Sequence, residues 1–122
     1  PTLTALAALA PDLDRLRAAC DQSGLLGAYV YSAPTPDGRA AARMFAPSIG
    51  VPEDIANANS TACLAAYLAR QSGAARTLAV DMGDSLGMPA TVTASARPAP
   101  SGRLSVEVGG AAVTDRVVHL RP

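Results

Sequence analysis

The spacing of apolar and polar positions changes several times along this chain, and each change marks an element. After Pro11, the residues Leu13, Leu16 and Cys20 recur at helical spacing, with Asp12 placed to cap the first turn and Gly24 to stop the last. The run Leu26 to Ser32 predicts a buried strand in which Tyr29, Val30 and Tyr31 carry the β-propensity. Pro34-Thr35-Pro36-Asp37-Gly38 is turn chemistry, so Arg39 to Phe45 is expected to return as the second arm of a hairpin. Pro47, Gly50 and Pro52 then punctuate a loop from Ala46 to Asp54.

The strongest helical signal runs from Ser60 to Gln71, rich in Ala and Leu, free of Gly and Pro, and closed by Ser72-Gly73. Its lead-in, Asn57-Ala58-Asn59-Ser60-Thr61, offers several N-cap candidates. Strand-like segments follow at Arg76 to Asp81, Ala90 to Ala96 and Arg103 to Val108. In the second of these, Thr91, Thr93 and Ser95 alternate with Val92 and Ala94; in the third, Leu104, Val106 and Val108 share a face. Gly109-Gly110 is expected to break the run, and Val113 to Leu120 to return as a final strand. One long helix among five or six strands, led by a shorter helix, gives an α+β domain. An Ala/Leu helix with Arg70 as its only charge needs apolar cover on most of its faces, which a sheet wrapped around it supplies.

Composition narrows the function classes. The 122 residues suit a single domain, 1–122, and a hydrophobic fraction of 49% against 16% charged supports a packed core. Formal net charge is zero and every basic residue is Arg; no basic patch with interleaved aromatics is present, so neither nucleic acid nor an anionic membrane is expected as a partner. No apolar run reaches bilayer length. Pro1 to Ala10 lacks a basic lead and is followed by Pro11, Asp12 and Asp14, so it does not read as a signal peptide. Cys20 and Cys63 are far apart and outside any CxxC spacing, which suits a reduced cytoplasm.

Few residues suggest chemistry by type alone. Cys63 lies within the expected helix with no neighbouring charge to activate it, and reads as a small core residue. His119 is the single histidine, too little for a zinc site, and reads as structural or exposed; no metal is expected. No helix follows Gly109-Gly110, so the pair is not a phosphate loop. Glu53 and Asp54 read most simply as carboxylates that cap loop N–H groups, with Arg43 pairing one of them. The start of the long helix has unpaired N–H donors and a partial positive charge, suited to a carboxylate.

The segment Arg43-Met44-Phe45-Ala46-Pro47-Ser48-Ile49-Gly50-Val51-Pro52-Glu53-Asp54 resembles the signature of the PhzF-like (phenazine biosynthesis) family. The resemblance continues through Leu64-Ala65-Ala66-Tyr67-Leu68, Gly87-Met88-Pro89 and Val108 to Val113, and starts at Pro1 with Pro11-Asp12-Leu13. It implies a diaminopimelate epimerase-like fold, with a curved, mostly antiparallel sheet around one central helix. It also implies that the chain matches the second half of a two-domain protein whose site lies between the domains. The implied activity is a cofactor-independent proton shift or epimerisation on a small amino acid or carboxylated cyclic intermediate, of the kind used in secondary-metabolite biosynthesis. By the same resemblance Asp54 is the catalytic candidate, and Asn57, Ala58, Asn59 and Ser60 line the substrate. The catalytic cysteine of related epimerases falls near Asn57, not Cys63.

Two features differ from the pattern. Ala58-Asn59 stands where the family has glycine-serine, and the family's glutamate base belongs to the other domain. An N-terminal half, a partner chain or a second copy is therefore expected to supply that base, and this chain alone is expected to be inactive. A non-catalytic binding or scaffold domain, or a fragment of a longer enzyme, is the alternative.

Overall fold

The computed structural model describes residues 1–114 and 117–119. Short helix α1, Leu3–Ala7, is capped by Thr2 and leads into α2, Leu13–Ser23. Asp12 caps α2 by accepting from the Arg15 N–H, and Gly24 ends it with a left-handed φ of 65°. Strands β1, Ala28–Tyr31, and β2, Arg39–Ala46, form the expected antiparallel hairpin. A single 3-10 turn, Pro47–Ile49, connects β2 to β3, Val51–Asp54. Helix α3, Ala58–Ser72, comes next, then β4, Arg76–Met82, a second 3-10 turn at Asp84–Leu86, β5, Ala90–Pro98, and β6, Leu104–Gly110.

The strands make one open mixed sheet in the order β1-β2-β4-β5-β6, with β3 also on β2. Among the described residues β2–β4 is the one parallel pair. The expected α+β class and mostly antiparallel sheet are therefore present. Helix α3 lies on one face, where Leu64, Ala65 and Ala69 pack on Ala40 and Ala42 of β2, Leu78, Val80 and Met82 of β4, and Val92, Ala94 and Ala96 of β5. The alternation read along β5 holds, since Val92 and Ala94 are buried and Thr91 and Thr93 exposed.

Several boundaries and environments differ from expectation, each for a local reason. β1 is half-buried throughout because it is an edge strand, paired among the described residues with β2 alone. The stretch 46–54 is not all loop: its end pairs with β2 as β3, Met44 opposite Asp54. Gly109 and Gly110 continue β6 opposite Thr93 and Val92; a Cβ at Gly109 would sit 3.0 Å from the Thr93 hydroxyl, so the missing side chain suits the pairing. Residues 111–114 and 117–119 are irregular, so the final strand is not seen there, and 115, 116 and Leu120 lie outside the described residues. Cys63 is exposed, because it projects from the side of α3 away from the sheet, as does Tyr67 at 52% exposure. His119 is exposed. Among the described residues no helix is long and apolar enough to cross a membrane.

Candidate functional site

One edge of β2 carries two strands. Residues 39–41 pair with β4, and residues 44–46 pair with β3, so the sheet forks between them. The end of β4, the end of β3 and the start of α3 meet at this fork. Gly83, just past β4, has a φ of +79°; a Cβ there would lie 2.2 Å from the Met88 carbonyl oxygen and 3.1 Å from that of Ile55. No side chain fits between these backbones, so glycine permits the close approach.

Glu53 and Asp54 are successive residues of β3, so their side chains leave on opposite faces of the sheet. Glu53 meets Arg43 in a two-pronged ion pair, with Nε–Oε1 and Nη2–Oε2 both 2.8 Å, and Ser85 donates to the same carboxylate. The two side chains are only 13% and 11% exposed. Arg43 Nη1 also donates to the Leu6 and Leu9 carbonyls at 3.1 and 2.6 Å, tying α1 to the sheet, and its guanidinium lies 4.9 Å from the Phe45 ring centre. The Arg43 hydrogen bonds hold the Glu53 carboxyl below its ordinary range against the opposing effect of burial, with a smaller downward contribution from Ser85. Arg43 is raised in turn, chiefly by its bonds to Glu53. Both oxygens of this carboxylate are bonded, and it acts as a structural clamp.

Asp54 lies on the α3 side, half-buried. Its Oδ2 accepts from Asn57 Nδ2 at 3.0 Å, and Oδ1 has no partner among the described residues. Asn57 is the N-cap of α3: its Oδ1 accepts from the Ser60 N–H at 2.8 Å. The helix thus starts two residues before the expected Ser60, and Ala58 and Asn59 form its first turn with ordinary negative φ. Alanine in place of the family's glycine therefore meets no backbone obstacle here. Both residues are exposed, and their N–H groups find no partner among the described residues. Ser60 Oγ faces the Met44 sulfur at 3.9 Å.

Under this corner is a polar chain with no clear signal in the sequence. Tyr29 Oη lies 2.8 Å from Thr61 Oγ1, and Thr61 Oγ1 donates to the Asn57 carbonyl at 2.8 Å. The Met82 sulfur is 3.4 Å from the Asn57 nitrogen. Burial pushes the Tyr29 phenol up, more than its bond to Thr61 lowers it, so it remains a protonated donor at neutral pH.

A groove of about 960 Å³ opens on the other side of the fork, lined in part by Leu6, Ser32, Arg39, Arg43, Asp81 and Ser85. Asp54 and residues 57–60 do not line it. The five residues singled out in the sequence thus gather at the α3 start, outside this groove. Among the described residues no three His, Cys, Asp or Glu side chains gather as a metal site.

The family model described as phenazine biosynthesis-like protein, PhzC-PhzF, matches residues 2–117. The chain belongs to the PhzC-PhzF family. A Deinococcus radiodurans protein described as an uncharacterized isomerase is 32% identical over 116 residues, covering 91% of this chain. The match spans only 37% of that relative's length. The PhzC-PhzF chain therefore corresponds to part of a longer protein in that comparison, and the fork described above falls inside the matched region.

Proposed function

We propose that this chain forms one wall of a PhzF-like isomerase site that moves a proton within a small amino acid or a carboxylated cyclic intermediate, without a cofactor. The observation that supports it is the meeting, at one end of β3, of a carboxylate oxygen and two helix-start N–H groups that have no partner among the described residues. A substrate carboxylate binds the N–H groups of Ala58 and Asn59, where the helix dipole favours negative charge. Asn59, at the edge of that turn, adds an amide. Asp54 Oδ1 orients the substrate ammonium or carries the proton. The opposing base comes from a further domain, a partner chain or a second copy, so the chain is the second of two halves and is inactive alone. The relative described as an isomerase is long enough to hold such a domain. The family's description supports a role in secondary-metabolite biosynthesis, and we place the protein in the cytoplasm.

The test is deuterium incorporation from heavy water into a panel of small amino acids and carboxylated cyclic compounds, by the whole protein that carries this chain. Incorporation into one compound is expected, falling roughly 10²- to 10⁴-fold in Asp54→Asn. No incorporation into any of them overturns the reading. A non-catalytic binding domain is the second reading, favoured by the bond that already engages Asp54 Oδ2. It expects binding of small carboxylates with no exchange.

A further inference from the structure

Asn57 has four polar groups, and each has a partner. Its backbone N–H faces the Met82 sulfur, and its carbonyl accepts from both the N–H and the hydroxyl of Thr61. Its side-chain oxygen accepts from the Ser60 N–H, and its side-chain nitrogen donates to Asp54. The orientation of the amide follows from these neighbours, because the Ser60 N–H requires an acceptor and the Asp54 carboxylate a donor. These bonds set the plane and orientation of the amide, using one of its two N–H donors and one lone pair of its oxygen.

Few side chains of this length fill both roles. Aspartate caps a helix well but would turn an acceptor toward Asp54. Serine and threonine cap through a single oxygen that does not also reach the carboxylate as the amide does. The base of the corner is rigid: Thr61 is 0% exposed, its hydroxyl hydrogen goes to the Asn57 carbonyl, and its oxygen therefore accepts from Tyr29. Position passes from Tyr29 through Thr61 to the backbone of Asn57, and from its amide to Asp54.

We infer that Asn57 is a positioning residue and not a substrate ligand: its amide holds Asp54 Oδ2 to the start of α3 so that Oδ1 alone is presented for chemistry. The inference rests on the reading of Asp54 as the proton-handling group.

Two variants test it in the whole protein, with the compound that exchanges fastest. Asn57→Ser retains a capping oxygen and removes the donor. Asn57→Asp retains the cap and sets an acceptor against Asp54. For Asn57→Ser, kcat for deuterium incorporation is expected to fall roughly 10- to 100-fold, as for a catalytic group displaced by about an ångström, with KM changed less than about threefold. Asn57→Asp falls further. A raised KM with kcat retained would show a substrate ligand and overturn the inference, as would an unchanged Asn57→Ser. A readout independent of turnover and of variants at Asn57 is the side-chain amide resonance of Asn57 in ¹⁵N spectra. It is expected to move on Asp54→Ala; a resonance left in place means that Asn57 does not hold Asp54. If the wild-type protein exchanges nothing, the isomerase reading fails, and this resonance still decides whether the contact exists.

Discussion

Glu53 and Asp54 are chain neighbours with the same charge, yet they have opposite surroundings. Glu53 turns to the α1 side of the sheet, where Arg43 meets both its oxygens and Ser85 adds a third bond. Asp54 turns to the α3 side and receives one bond, from Asn57. The alternation of a β-strand separates them, so one short strand ties one carboxylate into the fold and leaves the other with an oxygen unbonded among the described residues. A carboxylate with both oxygens bonded, three bonds in all, holds the fold together. One with an oxygen unbonded among the described residues, beside the start of α3, is left open to a further partner.

The contrast can be tested first where it should be largest. Arg43→Met leaves Glu53 largely covered and without its counter-charge, and also frees the Leu6 and Leu9 carbonyls. A loss of about 3 kcal/mol in unfolding free energy is expected, at the low end for a broken buried pair because this one is not fully covered. Denaturant titration measures it, and a loss under about 1 kcal/mol would remove the clamp from the account.

The pH dependence follows from the same pair. The folded Glu53 carboxyl is held below its ordinary value of 4.5, mainly by Arg43. Its contribution is therefore full above about pH 4.5 and is lost as pH falls through the lower folded value. Denaturant midpoints from pH 6 down to pH 3 should fall for the wild type, and the part due to this pair should be missing in Arg43→Met. Equal slopes in the two proteins would contradict the assignment.

Smaller effects belong to the corner around α3. Tyr29→Phe removes the donor to Thr61 and is expected to cost about 1 kcal/mol in denaturant titration, while the sheet register stays intact. Cys63→Ser should change stability by less than about 0.5 kcal/mol, because the thiol faces away from the sheet. Mild alkylation of the folded protein should label Cys63 and spare the buried Cys20. Labelling of Cys20 at the same rate would show that α2 is not packed as described.

Much of this architecture was legible in the sequence because local chemistry and burial agreed. Asp12 and Gly24 bound α2, the Pro34–Gly38 turn predicts the β1–β2 hairpin, and the alternation of β5 matches its buried face. The Arg43 to Asp54 signature pointed to the family. What was not legible depends on tertiary contact. Cys63 reads as core within an Ala-rich helix, but an open sheet covers only one side of α3. The 46–54 stretch looks like loop by its prolines and glycine, yet its end gains a partner in β2. At the site, a pairing of Arg43 with Glu53 or Asp54 was foreseeable, but the choice of Glu53 depends on which face each side chain leaves. The Tyr29–Thr61–Asn57 chain joins Tyr29 to a hydroxyl 32 residues away without any spacing signal. Asn57 stood out as a substrate-facing candidate, but its engaged amide could be seen only once Asp54 and Ser60 were placed around it.

The central claim is that these adjacent carboxylates divide structure from chemistry, and the most direct measurement compares Glu53→Gln with Asp54→Asn in the whole protein. Both would be assayed for deuterium incorporation per folded molecule and for unfolding free energy. The expected result is a crossed pattern: Glu53→Gln loses stability and retains its rate, while Asp54→Asn retains stability to within about 1 kcal/mol and loses roughly 10²-fold or more in rate. An Asp54→Asn protein that exchanges as fast as wild type, or a Glu53→Gln protein that is fully stable but inactive, would contradict it.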